Sequence, residues 1–245
     1  MCEAFFMITI RRFLVPAIGV AAGTVFLAMA VSQQKSGRSQ VNAAFHLART
    51  LTHPTTSTKA PDEEGFIRRW LVLEPIRADG LTQSVVQATV RKEYFPKQFG
   101  VIPHDGDTVN VEGTAFRWHA VDTKLYNVNL YHFAYALGKP MSNVLFWAVT
   151  LLHCSRELND VRLAIGSNAA SVWWVNGREV IGIYGDRQTV IDDGVSKRLT
   201  LNEGSNIVRC AVVNGGGATD FCARFLNRDD APVKDFTVNL GEGMK

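Results

Sequence analysis

The side chains able to do chemistry in this chain are scattered along it. Its six histidines, His46, His53, His104, His119, His132 and His153, include no pair at helical i, i+4 spacing. No nucleophile elbow, P-loop, HExxH or CxxC motif occurs. Each histidine therefore reads as a surface or hydrogen-bonded core residue. The acidic pairs Asp105/Asp107 and Asp192/Asp193 sit in turn-rich stretches, where an aspartate bonds its own following backbone. The sharper reading is a structural Ca²⁺ site, in which carboxylates and carbonyl oxygens from adjacent loops surround a hard cation. No ligand series of the EF-hand kind is present, so turn capping ranks first and no other cofactor is called for.

Aromatic and sulfur side chains are the next candidates. Trp173 and Trp174 are adjacent, and neighbours on a strand point to opposite faces, so one must be core. The other faces solvent, a sugar ring or a protein partner. Tyr126, Tyr131 and Tyr135 carry a weaker version of the same signal. Cys210 and Cys222 lie symmetrically about a Gly215–Gly217 turn and could face each other across a hairpin, as a disulfide or as two buried thiols. Cys154 has no evident partner.

These residues must be held by short β-type runs. Strands are expected at 67–73, 109–111, 116–120, 127–130, 144–152, 161–166, 171–175, 178–184, 195–201, 207–213 and 221–226. Asn176-Gly177 between apolar runs is the strongest hairpin signal, because both central residues of a type I′ turn need positive φ. Asn214-Gly215-Gly216-Gly217 is a second, looser hairpin turn. Residues 83–93 fit a short helix or a further strand. The chain has 245 residues, 47% of them apolar and 20% charged, with a net charge of +3. That is globular composition with ample length for a core, and it lacks the basic field of a nucleic-acid binder. Strand number and turn spacing indicate an all-β sandwich or jelly roll.

The N-terminus carries a different message. Phe13–Val31 is an uncharged run of 19 residues. As a helix it would reach about 28 Å, close to the roughly 30 Å of a bilayer core. Arg11 and Arg12 place the N-terminus in the cytoplasm, so the remainder is exported across a bacterial cytoplasmic membrane. Ala28-Met29-Ala30 resembles a cleavage site, but the long apolar run and the segment before the arginines favour an uncleaved signal anchor. The expected organisation is a cytoplasmic N-terminus (1–12), a transmembrane anchor (13–31) and a linker (32–64). A β-sandwich domain (65–233) and a C-terminal tail (234–245) follow. Residues 41–48 fit a short amphipathic helix, and 50–61 a flexible spacer.

Several motifs resemble galactose-binding-like jelly-roll modules of bacterial exported proteins. Trp70-Leu71-Val72-Leu73-Glu74-Pro75-Ile76 is similar to the opening of that family. Gly166-Ser167-Asn168 is similar to its turn, and Trp174-Val175-Asn176-Gly177 to its hairpin. Arg187, Asp192-Asp193, Asn206, Asn214-Gly215-Gly216 and Phe221 follow in the family's order. Glu74 stands where the family has glycine, and Asn168-Ala169-Ala170 replaces its acidic turn. The resemblance implies a jelly-roll fold and carbohydrate as a ligand. It also aligns Trp174 with the family's core tryptophan, which leaves Trp173 as the candidate contact residue. These motifs are fold determinants and say little of ligand.

Three functions follow, in order. The first is a non-catalytic, membrane-anchored periplasmic subunit that docks onto a multi-protein membrane complex, photosynthetic or respiratory in type. The second is a carbohydrate-binding module. The third is a hydrolase, or an accessory to one, using the scattered acids.

Overall fold

The computed structural model describes residues 49–240 apart from Gly80, Thr82 and Asp186. The expected anchor 13–31, the segment 41–48 and residues 241–245 lie outside the described residues. No helix among the described residues is long and apolar enough to cross a membrane.

In chain order the strands are β1 (Leu51–Thr52), β2 (Thr58–Lys59), β3 (Arg69–Leu73), β4 (Ile76–Arg77), β5 (Thr108–Val111), β6 (Thr114–Thr123), β7 (Val128–Asn129) and β8 (Val144–Cys154). There follow β9 (Leu158–Ser167), β10 (Ser171–Val175), β11 (Arg178–Ile183), β12 (Gly194–Val195), β13 (Leu199–Leu201), β14 (Gly204–Asn214), β15 (Asp220–Leu226) and β16 (Phe236–Asn239). Two short helices, α1 (Gln83–Thr89) and α2 (Leu130–Ala136), interrupt them. The larger sheet runs β1-β6-β3-β8-β14-β10-β11, with β4 and β16 also on β8, β2 on β16 and β5 on β6. The smaller sheet runs β12-β9-β15-β7, with β13 on β9. Every one of these pairings is antiparallel.

The central strand explains the architecture. β8 reads VLFWAVTLLHC, nearly continuous in apolar residues, as expected of a strand covered on both faces. Val144, Phe146, Ala148 and Leu152 point into the core between the two sheets. Leu145, Trp147, Val149 and Leu151 point the other way, into a second core. The second core is roofed by the segment between β4 and β6, through Ala78, Val90, Phe95 and Val111. The molecule is thus a two-sheet sandwich with a third, irregular layer.

In the first core Trp70, Trp173 and Phe221 form an edge-to-face trio with centroids 5.0–6.0 Å apart. Such pairs contribute roughly 0.5–1.5 kcal/mol each beyond burial. In the second, Trp147 and Trp174 stack at 5.4 Å and Phe99 stands edge-on to both.

The all-β reading, the helix alternative at 83–93 and the Asn176-Gly177 hairpin agree with the structure. Asn176 and Gly177 take φ values of 50° and 79°, and they join β10 to β11. Other expectations are corrected. Residues 51–52 and 58–59, assigned to linker and spacer, pair into the larger sheet, and 236–239 of the tail pair with β8. The 214–217 turn makes no hairpin, because β14 pairs with β8 and β10 while β15 pairs with β9 and β7. That crossover separates Cys210 and Cys222 into different sheets, and both are buried free thiols. Burial pushes the Cys222 thiol up to about 12.

Candidate functional site

The principal cleft, about 590 Å³, opens where β14, β10 and β11 end beside the third layer. Its floor is Ala169 and Ala170 before β10, and Val213 and Asn214 at the end of β14. Tyr184 and Gly185, just after β11, form one wall, and Leu81 with Val86 of α1 form the opposite wall. Gly215 and Gly216 make the rim. Among the described residues, none that lines it is charged.

Each wall has a local cause. Asn214 is buried, and its amide braces the turn. Its Nδ2 donates to Met141 O (2.6 Å) and its Oδ1 accepts from Gly216 N (3.0 Å). The main chain of Gly215 and Gly216 is therefore held at the rim with nothing within 4 Å of a would-be Cβ. Tyr184 lies back on Gly182, where a Cβ would stand 2.7 Å from the tyrosine hydroxyl. Its hydroxyl accepts from Arg91 Nη2 at 2.5 Å. A half-buried ring, aliphatic walls and a glycine rim suit a neutral, partly apolar ligand with hydroxyls at its edge.

A second, smaller cleft of about 190 Å³ lies at the β6 edge and holds the titratable groups. His53 on the N-terminal strap bonds Asp105 at 2.9 Å, and Asp105 accepts from Ala120 N at 2.8 Å. Arg117 and His119 of β6 line the same cleft. Glu74 lies 3.5 Å from His119 and accepts from Lys139 at 3.0 Å. The Asp105 hydrogen bond holds His53 above the usual histidine range. Burial holds His119 below it, against the opposing pull of Glu74. Burial pushes the Glu74 and Asp105 carboxyls up. For Glu74, Lys139 and the Arg117 N–H outweigh it; for Asp105, the Ala120 N–H and His53 do, so both end low. These charges are mutually compensated, and no nucleophile stands among them.

The expected contact residues lie elsewhere. Trp173 is fully buried in the first core and donates to Ser171 Oγ at 3.0 Å, so it is no surface contact. Trp174 is buried as expected, in the second core under the third layer, so both adjacent tryptophans are core. Tyr126 is exposed beside Phe66, and Tyr131 and Tyr135 sit on α2, whose Phe133 lines the second cleft while none of the three tyrosines lines either. The fold motif does better. Trp70 is core. Gly166 is required because Val190 O passes 2.2 Å from where its Cβ would sit. Ser167 Oγ donates to Ala169 O, and Asn168 N donates to Asp220 O.

The candidate metal ligands are otherwise engaged. Asp192 pairs with Arg224 at 2.5 Å and Asp193 with Arg187 at 2.5 Å. Asp107 caps His104 N at 2.8 Å, and Asp105 holds His53. Two arginine-bound carboxylates do not fit a Ca²⁺ site, and among the described residues no group of three or more His, Cys, Asp or Glu could hold a metal ion. Tyr184 was not singled out by the sequence. Its signal is a tyrosine closing a strand, with a glycine two residues before it and another after it.

Fold and cleft together define the class: an antiparallel β-sandwich with a cleft of about 590 Å³ at one end of its larger sheet. No family model matches the chain, and no curated protein matches it. Among solved structures, it is similar to a PA14 sugar-binding domain from an RTX adhesin. That likeness has 14% identity and a TM-score of 0.42, covering 71% of this chain and 100% of that one. The PA14 domain of the MpAFP antifreeze protein gives 12% identity and a TM-score of 0.41, covering 78% of this chain and 96% of that one. A β-glucosidase from Kluyveromyces marxianus gives 13% and 0.37, covering 71% of this chain and 21% of the enzyme.

Proposed function

We propose that this chain is a non-catalytic carbohydrate-binding β-sandwich, and that its end cleft takes one or two neutral sugar rings. The observation that carries the reading is the cleft itself: about 590 Å³, lined by Tyr184, Leu81 and Val86, rimmed by glycine backbone, and with no charged group among its described lining residues. Pockets of roughly 300–1,000 Å³ with few convergent polar groups are the usual form of small-ligand sites. A pyranose presents an apolar face and a ring of hydroxyls, which match an aromatic wall and the polar main chain of a glycine rim. The sugar-binding description of the adhesin domain belongs to that protein, and the reading here rests on the cleft.

The docking-subunit reading, ranked first on sequence, rested on the apolar N-terminal run and the lack of catalytic motifs; Trp173, offered there as a contact for a partner or a glycan alike, is core. A glycan array followed by titration calorimetry tests the sugar reading. The expected result is binding of neutral glycans by the wild type, with at least a ~10-fold loss in Tyr184→Ala, about 1.4 kcal/mol. Absence of binding to any glycan overturns it. On the same reading, Phe13–Val31 would tether the domain to the outer face of a cytoplasmic membrane. The length of that run and the preceding arginines support this. Protease added outside spheroplasts should then remove the sandwich, and full protection would place it on the other side.

A further inference from the structure

Arg91 stands just beyond α1 and touches three parts of the molecule at once. Its Nε and Nη2 grip Glu179 at 2.9 and 2.6 Å, and the same Nη2 reaches Tyr184 Oη at 2.5 Å. Its Nη1 donates to Gln87 O within α1 at 3.1 Å. The planar guanidinium is thus matched on all three nitrogens, a geometry that a lysine cannot reproduce. Glu179 opens β11 and Tyr184 follows its end. The fork therefore ties both ends of that strand to the helix whose Val86 forms the facing cleft wall.

The energetics say what such a fork is for. Arg91 and Glu179 each keep more than a third of their side-chain surface exposed, 39% and 38%. Pairs this wet contribute little to stability. Their effect lies in position. Tyr184 is backed by Gly182, and its main-chain oxygen accepts from Arg187 Nη2 at 3.3 Å. Among the described residues, Arg91 is the hydrogen-bond partner that holds the far end of the ring. α1 in turn is anchored from below by buried Val90, leaving Arg91 to fix its lateral distance from β11.

We propose that Arg91, seated by Glu179, is a positioning residue of the sugar cleft: it sets the Tyr184 ring and the width between that ring and α1. The inference rests on the carbohydrate reading above and adds the determinant of its affinity. It predicts that ligand affinity follows the fork while stability does not.

The test uses the full chain in detergent with cellobiose, maltose and lactose as probes. Binding is read by calorimetry, and the tyrosine ring by ¹⁹F NMR of protein containing 3-fluorotyrosine. The chain holds five tyrosines, so Tyr184→Phe assigns its resonance. Arg91→Ala should weaken binding of the sugar that the wild type takes by about 10-fold and shift or broaden the Tyr184 resonance without sugar. Glu179→Gln should weaken binding by about 3-fold, and Arg91→Lys should fall between wild type and Arg91→Ala. Melting temperatures of all three should stay within about 3 °C of wild type.

Unchanged affinity in Arg91→Ala, with wild-type binding intact, overturns the positioning role alone. A Tyr184 resonance unmoved by Arg91→Ala overturns it too, even if affinity falls. If none of the three sugars binds the wild type at millimolar concentration, this proposal falls. A glycan array empty as well then takes the carbohydrate reading with it.

Discussion

The two faces of the larger sheet are built from the same strands and yet are finished differently. On the face toward the smaller sheet, each indole is satisfied: Trp70 Nε1 donates to Ile67 O at 2.9 Å, and Trp173 Nε1 to Ser171 Oγ at 3.0 Å. On the opposite face, Trp118 Nε1, Trp147 Nε1 and Arg209 Nε are buried without a partner. An unpaired buried donor costs about 1–3 kcal/mol. Strands roof the first face with matched periodicity, whereas an irregular segment roofs the second, and the principal cleft opens at that second roof's edge. The difference teaches a division of labour: one face specifies the fold, and the other carries imperfect packing beside a place for a ligand.

The largest effect should separate the adjacent tryptophans. Trp173→Ala removes the middle of a three-ring cluster between two sheets, and should cost about 3–5 kcal/mol. Trp174→Ala lies under the third layer, which can settle into the gap, and should cost on the order of 2 kcal/mol. Urea unfolding at constant m-value measures both. Equal costs would break the contrast between the faces.

Two buried arginines offer the next contrast. Arg69 is bidentate to Asp122, at 2.8 and 3.0 Å, and also reaches Thr56 O at 2.8 Å. Arg209, in the second core, donates to Val101 O and has no carboxylate partner, and burial pulls its guanidinium down to about 10. Arg69→Met should destabilise by about 3 kcal/mol, because it leaves the buried Asp122 carboxylate with Lys59 alone. Arg209→Met replaces an unpaired cation by an apolar chain of similar length, and should be neutral or stabilise by up to about 1 kcal/mol. A large loss in Arg209→Met would mean that the second face is as fully specified as the first.

How much of this was legible depends on whether a feature is local. Asn176-Gly177 announces its own turn, since its two positive φ angles are a property of two residues. The double burial of β8 is visible in its unbroken apolar run. The facing of Trp173 and Trp174 is not visible, because both faces of β10 are covered, one toward the smaller sheet and the other under the third layer, and both indoles are buried. The crossover at 214–217 was hidden for a related reason. A glycine-rich turn permits a hairpin and a change of sheet equally, and the partner strands decide. The cleft draws on four segments, near 81–86, 169–170, 184–185 and 213–216. Nothing in any one of them marks it.

A smaller change should sharpen the account of the second face. Gly182→Ala would place a methyl 2.7 Å from the Tyr184 hydroxyl and 3.1 Å from its ring. The ring must swing toward the cleft, so sugar affinity should fall about 5-fold while stability changes by less than about 1 kcal/mol. Retained affinity in this variant would argue that the ring's seat does not matter to the site.

The smallest effect concerns the polar cleft at the β6 edge, where two histidines titrate in opposition. His53 has a folded pKa raised by Asp105, so its contribution is full below the unfolded value near 6.5 and is lost as pH rises through the folded one. His119 has a folded pKa lowered by burial, so it withdraws stability as pH falls below about 6.5. Glu74, Asp105, Arg117 and Lys139 surround the pair, and the Glu74 and Asp105 carboxyls are held below the usual carboxylate range. The two slopes oppose, and the wild type should melt at nearly the same temperature from pH 5.5 to 8. His53→Gln removes one slope, so melting should fall by a degree or two toward acid, whereas His119→Gln should fall toward base by a similar amount. His53 is mostly exposed, which keeps its share small. Parallel slopes in the two variants would show that the strap and β6 do not carry separate titrations, and the polar cleft would then act as a single coupled unit.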